Sequence, residues 1–370
     1  MHKFFTLFLA FCSLFILLSL GASAINPSAN GACAIEARSG EVYFSKNENT
    51  KMSMASTTKI MTAIIVIENC NLNDKVKITN EAVGTEGSSI YLKEGEVLTV
   101  DELLYALLLE SANDASIALA IHCAGSVDDF VALMNQKASD LGLVSTSFTN
   151  PHGLDDDSHY TTPYELAKIS AYAMTLPVFC EAVSTYKRVI PLDTDGSRVL
   201  VNHNKLLRTY EGAIGIKTGF TRKSGRCLVS CAEKNGVMLI CVTLNAPNDW
   251  RDHADILDYG FDAYEGIHLA SAGDYVLDIP VINGKASSVL CSNTNPLDIT
   301  LKRSSINISA SFEANHMLCA PIRQGDLVGQ IVFKNNGERI ASLNLYALES
   351  VQNINYKKSF FERIFKNGKN

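Results

Sequence analysis

Ser56-Thr-Thr-Lys59 places a hydroxyl and an amine three residues apart, and on a helix such a pair shares one face. A lysine amine beside a serine hydroxyl becomes a general base beside a nucleophile once burial lowers its pKa, which is the chemistry of acyl transfer. Ser56 is expected near the N-cap of its helix, where free backbone N–H groups stabilise negative charge. The pattern alone is weak, because Ser184-Thr-Tyr-Lys187 shares it. Ser111-Ala-Asn113 adds a second hydroxyl and an amide. Ser28, Ser45, Ser305 and Ser342 also open an S-x-N, and only the break between two helical runs distinguishes Ser111. Lys217-Thr218-Gly219 lies on a predicted strand, where Gly219 leaves room for a ligand at the strand edge and Lys217 and Thr218 can hold a carboxylate. Lys223-Ser224-Gly225 competes, but falls in the turn after that strand.

The elements that must position these groups follow from periodicity and punctuation. Ala55 to Glu68 predicts a helix with Ile60, Ile64 and Ile67 on one face. Thr99 and Glu102 form a capping box ahead of Leu103–Glu110, and Asp114 is placed to cap a further helix that ends at Gly125. Val127–Leu141 is helical, and Thr162-Pro163-Tyr164-Glu165 opens another helix. Strands are predicted at Cys33–Ala37, Val42–Ser45, Ala213–Phe220, Gly225–Ala232 and Val237–Leu244, with Asn235-Gly236 as a hairpin turn. Trp250–Tyr264 closes this part as a helix. The fold class is therefore α+β, with an antiparallel sheet over residues 25–265. Residues 266–352 read as short strands between Asn, Gly and Ser turns, a small all-β sandwich.

Length and composition set the frame. The chain has 370 residues, 47% hydrophobic and 19% charged, an ordinary globular balance that suits two or three domains. A net charge of −7 argues against a nucleic-acid partner held through phosphate neutralisation. Residues 1–24 read as an export signal: Lys3, an uncharged apolar run from Phe4 to Leu20, then Ala22-Ser23-Ala24. Residues 353–370 mix Lys357, Lys358, Arg363, Lys366 and Lys369 with Phe360, Phe361, Ile364 and Phe365, the pattern of a basic amphipathic helix on an anionic membrane surface. Cys12 leaves with the signal, and the odd number of cysteines that remains argues against a full disulfide framework. Cys227, Cys231 and Cys241 sit in apolar runs and read as small buried hydrophobes. His152 and His159 flank Asp155-Asp156-Asp157, but the spacing matches no zinc or calcium site and reads as a solvated acidic loop. Glu165 is accounted for by its capping position.

The three motifs occur in the order S-x-x-K, S-x-N, K-T-G, the set associated with class A β-lactamases and penicillin-binding proteins. With Asn150-Pro-His-Gly-Leu154 and the flanking strings Ala55–Ala63, Glu110–Ser116 and Gly215–Thr221, the chain resembles the low-molecular-mass penicillin-binding proteins that act as serine D-alanyl-D-alanine carboxypeptidases. The resemblance implies a β-lactamase/transpeptidase-like catalytic domain, a cell-wall stem peptide ending in D-Ala-D-Ala as substrate, and β-lactams as covalent inhibitors. No metal or cofactor is implied. Ser56 would be the acylated nucleophile, Lys59 its general base, and Ser111 the relay to the leaving amine. Asn113 would hold the peptide amide and the Lys59 side chain, and Lys217 and Thr218 would face the terminal carboxylate. Gly219 and the backbone N–H of Phe220 complete the site, the latter pairing with the Ser56 N–H as oxyanion donor. Arg251 is a further carboxylate ligand by the same resemblance. The expected location is the extracytoplasmic face of a bacterial membrane or the wall. A β-lactamase, a transpeptidase and a silent wall-binding scaffold are the alternatives. Slow recovery of a penicillin-labelled Ser56 separates the first from a carboxypeptidase, and absence of any adduct would favour the scaffold.

Overall fold

The computed structural model describes residues 25–192, 196–314 and 318–354. Residues 1–24, read above as an export signal and including Cys12, and the basic tail from residue 355 onward lie outside the described residues. Two compact units divide the chain. Among the described residues, the first holds those from 25 to 232 together with 239–260, and the second those of 233–238 and from 261 to 354.

In the first unit, β1 (Gly31–Glu36) and β2 (Val42–Lys46) form a hairpin, and α1 (Lys59–Asn69) follows a single 3-10 turn at Ala55–Thr58. The short pair β3 (Lys75–Lys77) and β4 (Val97–Thr99) precedes α2 (Val100–Leu109), α3 (Asn113–Ala124) and α4 (Val127–Asp140). Next come α5 (Pro163–Ala173), α6 (Pro177–Ser184), the hairpin of β5 (Lys187–Pro191) and β6 (Ser197–Val201), and the one-turn α7 (Leu206–Thr209). Strands β7 (Ala213–Thr221), β8 (Gly225–Lys234) and β9 (Val237–Leu244) and helix α8 (Asp249–Ala263) complete the order. The sheet order is β2-β1-β9-β8-β7, so the first hairpin docks on the last strand and β7 is an edge. Its antiparallel register sets Phe220 opposite Arg226 and Gly219 opposite Cys227.

Local signals explain most boundaries. Thr99 Oγ1 accepts from the Glu102 N–H at 3.1 Å and a Glu102 oxygen accepts from the Thr99 N–H at 2.7 Å, a complete capping box. Gly125 ends α3 at φ 85°, where a side chain would be strained. Asn235 and Gly236 both take positive φ, as a tight hairpin turn demands. Two expectations are corrected. Asp114 is not a cap: α3 starts at Asn113, and the Asp114 carboxylate instead accepts from Ser89 Oγ at 2.6 Å and the Leu92 N–H at 3.0 Å. Glu165 does not close a capping box either. Thr162 caps α5 alone, while Glu165 accepts from the Val144 and Ser145 N–H groups and from Thr146 Oγ1.

Helix α1 was expected to bury one stripe, but every residue from Lys59 to Val66 is buried. It touches α2, α3, α4, α5 and α6, so it is an internal helix with no solvent face over its first two turns. This placement takes the Lys59 side chain out of water.

Among the described residues the second unit is built of strands, apart from the end of α8 and a 3-10 turn at Arg303–Ser305. It contains β10 (Tyr264–Ala270), β11 (Val276–Ile282), β12 (Ser288–Ser292), β13 (Leu297–Lys302), β14 (Ile308–Glu313), β15 (Leu318–Cys319), β16 (Leu327–Asn335) and β17 (Glu338–Ala347). A six-stranded sheet, β14-β16-β17-β12-β11-β15, and the pair β10-β13 enclose one apolar core that includes Val289, Ile331, Phe333 and Leu345. Tyr264, read as the end of a helix, begins β10.

Candidate active site

The motif serine sits in the 3-10 turn rather than at an α-helical N-cap. Ala55, directly before it, has φ 48°, a conformation that costs a non-glycine residue on the order of 1–2 kcal/mol. That backbone turns Ser56 into a cleft of about 370 Å³, lined also by Ser88, Ser111, Thr218, Gly219 and Phe220. The three motifs therefore meet at one place. Gly219 permits the approach of β7: a Cβ there would lie 3.0 Å from the Ser56 amide nitrogen and 3.1 Å from Ala55 Cβ.

Lys59 Nζ lies 3.1 Å from Ser56 Oγ. It donates to Asn113 Oδ1 at 2.6 Å and to the His152 carbonyl at 2.6 Å. Those two oxygens can only accept. A neutral amine has two hydrogens and one lone pair, so with both hydrogens engaged the lone pair faces the Ser56 hydroxyl. Burial holds the Lys59 pKa well below its ordinary value, and the Lys217 charge lowers it further against the opposing pull of Asp114. Lys217 is also fully buried, its pKa lowered to about 7 by desolvation with Glu110 opposing.

Asn113 is fixed from both ends. Its Nδ2 donates to the Glu86 carbonyl at 2.5 Å and its backbone N–H to the Ser88 carbonyl at 2.7 Å. Ser111 takes φ 59° between α2 and α3, as expected of a helix break. Its hydroxyl is buried with no hydrogen-bond partner among the described residues, although it lines the cleft. A buried hydroxyl left open beside a cleft is poised for a ligand. Thr218 also lines the cleft, and Phe220 is 65% exposed, so its side chain stands clear while its backbone stays on the strand.

Arg251 does not line this cleft itself but an adjoining pocket that shares Lys205, Arg226, Asp249 and Trp250 with it. Its side chain is 85% exposed and faces Asp255 one helical turn on, at 3.6 Å. The guanidinium that does line the cleft belongs to Arg226 on β8. Asp249 holds it through both carboxylate oxygens at 2.9 Å, and it lies 5.7 Å from the Trp250 ring. His203 and Lys205 line the same wall. No local pattern marks Arg226, because only the β7–β8 register brings it beside the K-T-G segment. The loop reading of residues 152–159 also changes: Asp155, Asp156 and Asp157 are exposed, but His159 is 3% exposed and His152 is half-buried.

A cleft serine 3.1 Å from a buried amine, with a second buried lysine and an open hydroxyl nearby, has the groups that serine acyl transfer needs, on an α+β scaffold with a trailing β-domain. Residues 20–248 match the D-alanyl-D-alanine carboxypeptidase family, and residues 264–353 match the C-terminal domain of penicillin-binding protein 5. The chain is 32% identical over 344 residues to D-alanyl-D-alanine carboxypeptidase DacF of Bacillus subtilis, covering 90% of this chain and 88% of that one. It is 30% identical to DacC of Escherichia coli, over 88% and 84% of the two chains. Among solved structures, penicillin-binding protein 5 of Haemophilus influenzae superimposes with a TM-score of 0.69 at 28% identity, over 90% of this chain and 100% of that one. The chain belongs to the D-alanyl-D-alanine carboxypeptidase family, and is a serine-type hydrolase of peptidoglycan metabolism.

Proposed function

We propose that Ser56 attacks the penultimate D-Ala carbonyl of a peptidoglycan stem peptide, with Lys59 as the base that takes its proton. The bond to the terminal D-Ala nitrogen breaks, an ester forms on Ser56, and the proton reaches the leaving amine through Ser111. Water then attacks the ester, Lys59 accepts its proton and returns it to Ser56 Oγ as the C–Oγ bond breaks, which releases the shortened peptide and restores the hydroxyl. The Ser56 and Phe220 N–H groups stabilise the oxyanion. Asn113 holds Lys59 and the substrate amide, and Lys217, Thr218 and Arg226 face the terminal carboxylate. A β-lactam follows the same first step and stalls as the acyl-enzyme. The observation that carries this reading is the Lys59 amine, buried, engaged by two acceptors and 3.1 Å from the Ser56 hydroxyl.

Glu165 is spent on the Val144 and Ser145 N–H groups and the Thr146 hydroxyl, which speaks against a glutamate-activated water and so against a β-lactamase. The sequence of residues 1–24 supports export, and the basic aromatic tail supports attachment to an anionic membrane surface on the extracytoplasmic side. D-Ala release from diacetyl-Lys-D-Ala-D-Ala, together with mass spectrometry after β-lactam treatment, tests the reaction. Wild type should release D-Ala and carry one adduct, while Ser56→Ala should do neither. An adduct on another residue would overturn the assignment.

A further inference from the structure

The Ser56 turn is strained at Ala55, and something must hold it. The Ala55 carbonyl accepts from Thr58 Oγ1 at 2.8 Å. That hydroxyl oxygen lies 2.7 Å from His159 Nε2. On the other side of the ring, His159 Nδ1 lies 3.0 Å from the Thr149 backbone nitrogen. A backbone N–H only donates, so Nδ1 accepts and the proton of the neutral ring is on Nε2. The chain of donors then has one direction: Thr149 N–H to His159, His159 Nε2–H to Thr58, Thr58 O–H to Ala55. The imidazole is 3% exposed and packs edge-on against Phe148, with centroids 5.7 Å apart, so its orientation is fixed. Gly153 of the same loop lies so close to this turn that a Cβ would sit 1.9 Å from the Ala55 oxygen.

We infer that His159 is a positioning residue for the nucleophile, acting through Thr58 on the Ala55 carbonyl to keep Ser56 aimed into the cleft. The inference rests on the reading of Ser56 as the acylated serine. His159 touches no reacting atom. Its loop also supplies the His152 carbonyl that holds Lys59, so one segment sets both the base and the nucleophile, and the His159–Thr58 bond is the part that governs the nucleophile.

The test measures the acylation rate constant and the non-covalent dissociation constant separately, using a fluorescent penicillin on the full chain. His159→Leu should slow acylation at least tenfold and leave the dissociation constant within twofold. Thr58→Val should do the same, and the double variant should be no slower than either single one, because both break one chain of bonds. His159→Gln, whose terminal amide can donate to Thr58, should recover most of the rate. Should His159→Leu fail to fold, Thr58→Val carries the test, and a wild-type acylation rate in it overturns the inference. Equal losses in His159→Gln and His159→Leu, or additive losses in the double variant, would do so too. Absence of an adduct in wild type would defeat the reading of Ser56 itself and this inference with it. An adduct in wild type with unchanged variants defeats only the role of His159.

Discussion

Lys59 Nζ stands 3.1 Å from Ser56 Oγ, and the acceptors Asn113 and His152 leave its third position for that hydroxyl alone. On the proposed mechanism Asn113 thus directs the base as well as the substrate. Asn113→Asp would put a carboxylate against Lys59, hold it protonated and slow acylation at neutral pH by roughly 100-fold or more, with part of the rate returning as the pH is raised. Stopped-flow acylation across pH 6–10 checks this, and a uniform loss at every pH would count against it.

The two buried lysines set opposite limbs of a pH profile. Lys59 must be neutral to act, and its pKa is pulled down, so activity rises with pH through that lowered value. Lys217 must be charged to attract a carboxylate, and its pKa is lowered to about 7 in the free enzyme. The kcat/KM for D-Ala release should therefore fall above about pH 7. A bound carboxylate favours the charged form, so the limb in kcat should move to higher pH. Lys217→Arg, which keeps its charge, should flatten the alkaline limb even where it lowers the maximum.

Burying Lys217 also costs stability. An unfolded lysine binds its proton up to a pKa of about 10.4, whereas the folded one releases it near 7, so between those values the unfolded state binds more protons and stability rises with pH. Lys217→Met removes the penalty at neutral pH. It should raise the melting temperature by about 5 °C while abolishing D-Ala release, a separation of stability from activity that calorimetry and the activity assay would read together.

Three histidines make the fold acid-sensitive. His152 and His253 have their pKa lowered to about 3 and His159 to about 4, in each case chiefly by burial. His253 is held between the Ser230 and Thr243 hydroxyls, at 2.6 and 2.9 Å. Each is neutral when folded and charged below about 6.5 when unfolded, so its contribution is complete above 6.5 and is lost as pH falls toward the folded value. Urea unfolding between pH 6.5 and 4.5 should lose up to about 1.4 kcal/mol per pH unit for each histidine. His253→Phe should reduce that slope by about one proton.

Arg226 and Arg251 give a direct contrast. Arg226→Gln should raise KM for a substrate with a free C-terminal carboxylate about tenfold and change kcat little, whereas Arg251→Gln should behave as wild type. A reversed result would return the carboxylate ligand to α8.

The chemistry and the local grammar were legible along the chain. The residue types and order of Ser56-x-x-Lys59, Ser111-x-Asn113 and Lys217-Thr218-Gly219 named the acyl-transfer set. The Thr99–Glu102 box and the Asn235-Gly236 turn were legible because a cap or a tight turn is decided by neighbours a few residues apart. Contacts made across distant segments were not legible there and emerged with the packing. Burial of the first two turns of α1 on all sides, and with it the lowered pKa of Lys59, depends on five other helices. Asp114 and Glu165 had local cues for capping, but non-local N–H groups at 92 and 144–145 claimed their carboxylates. His159 looked like part of a solvated loop until the chain return placed it under Thr58, and Arg226 entered the cleft only through strand register. Short-range hydrogen bonds and periodicity can be read along a chain, whereas desolvation and cross-chain partners exist only once the segments have packed.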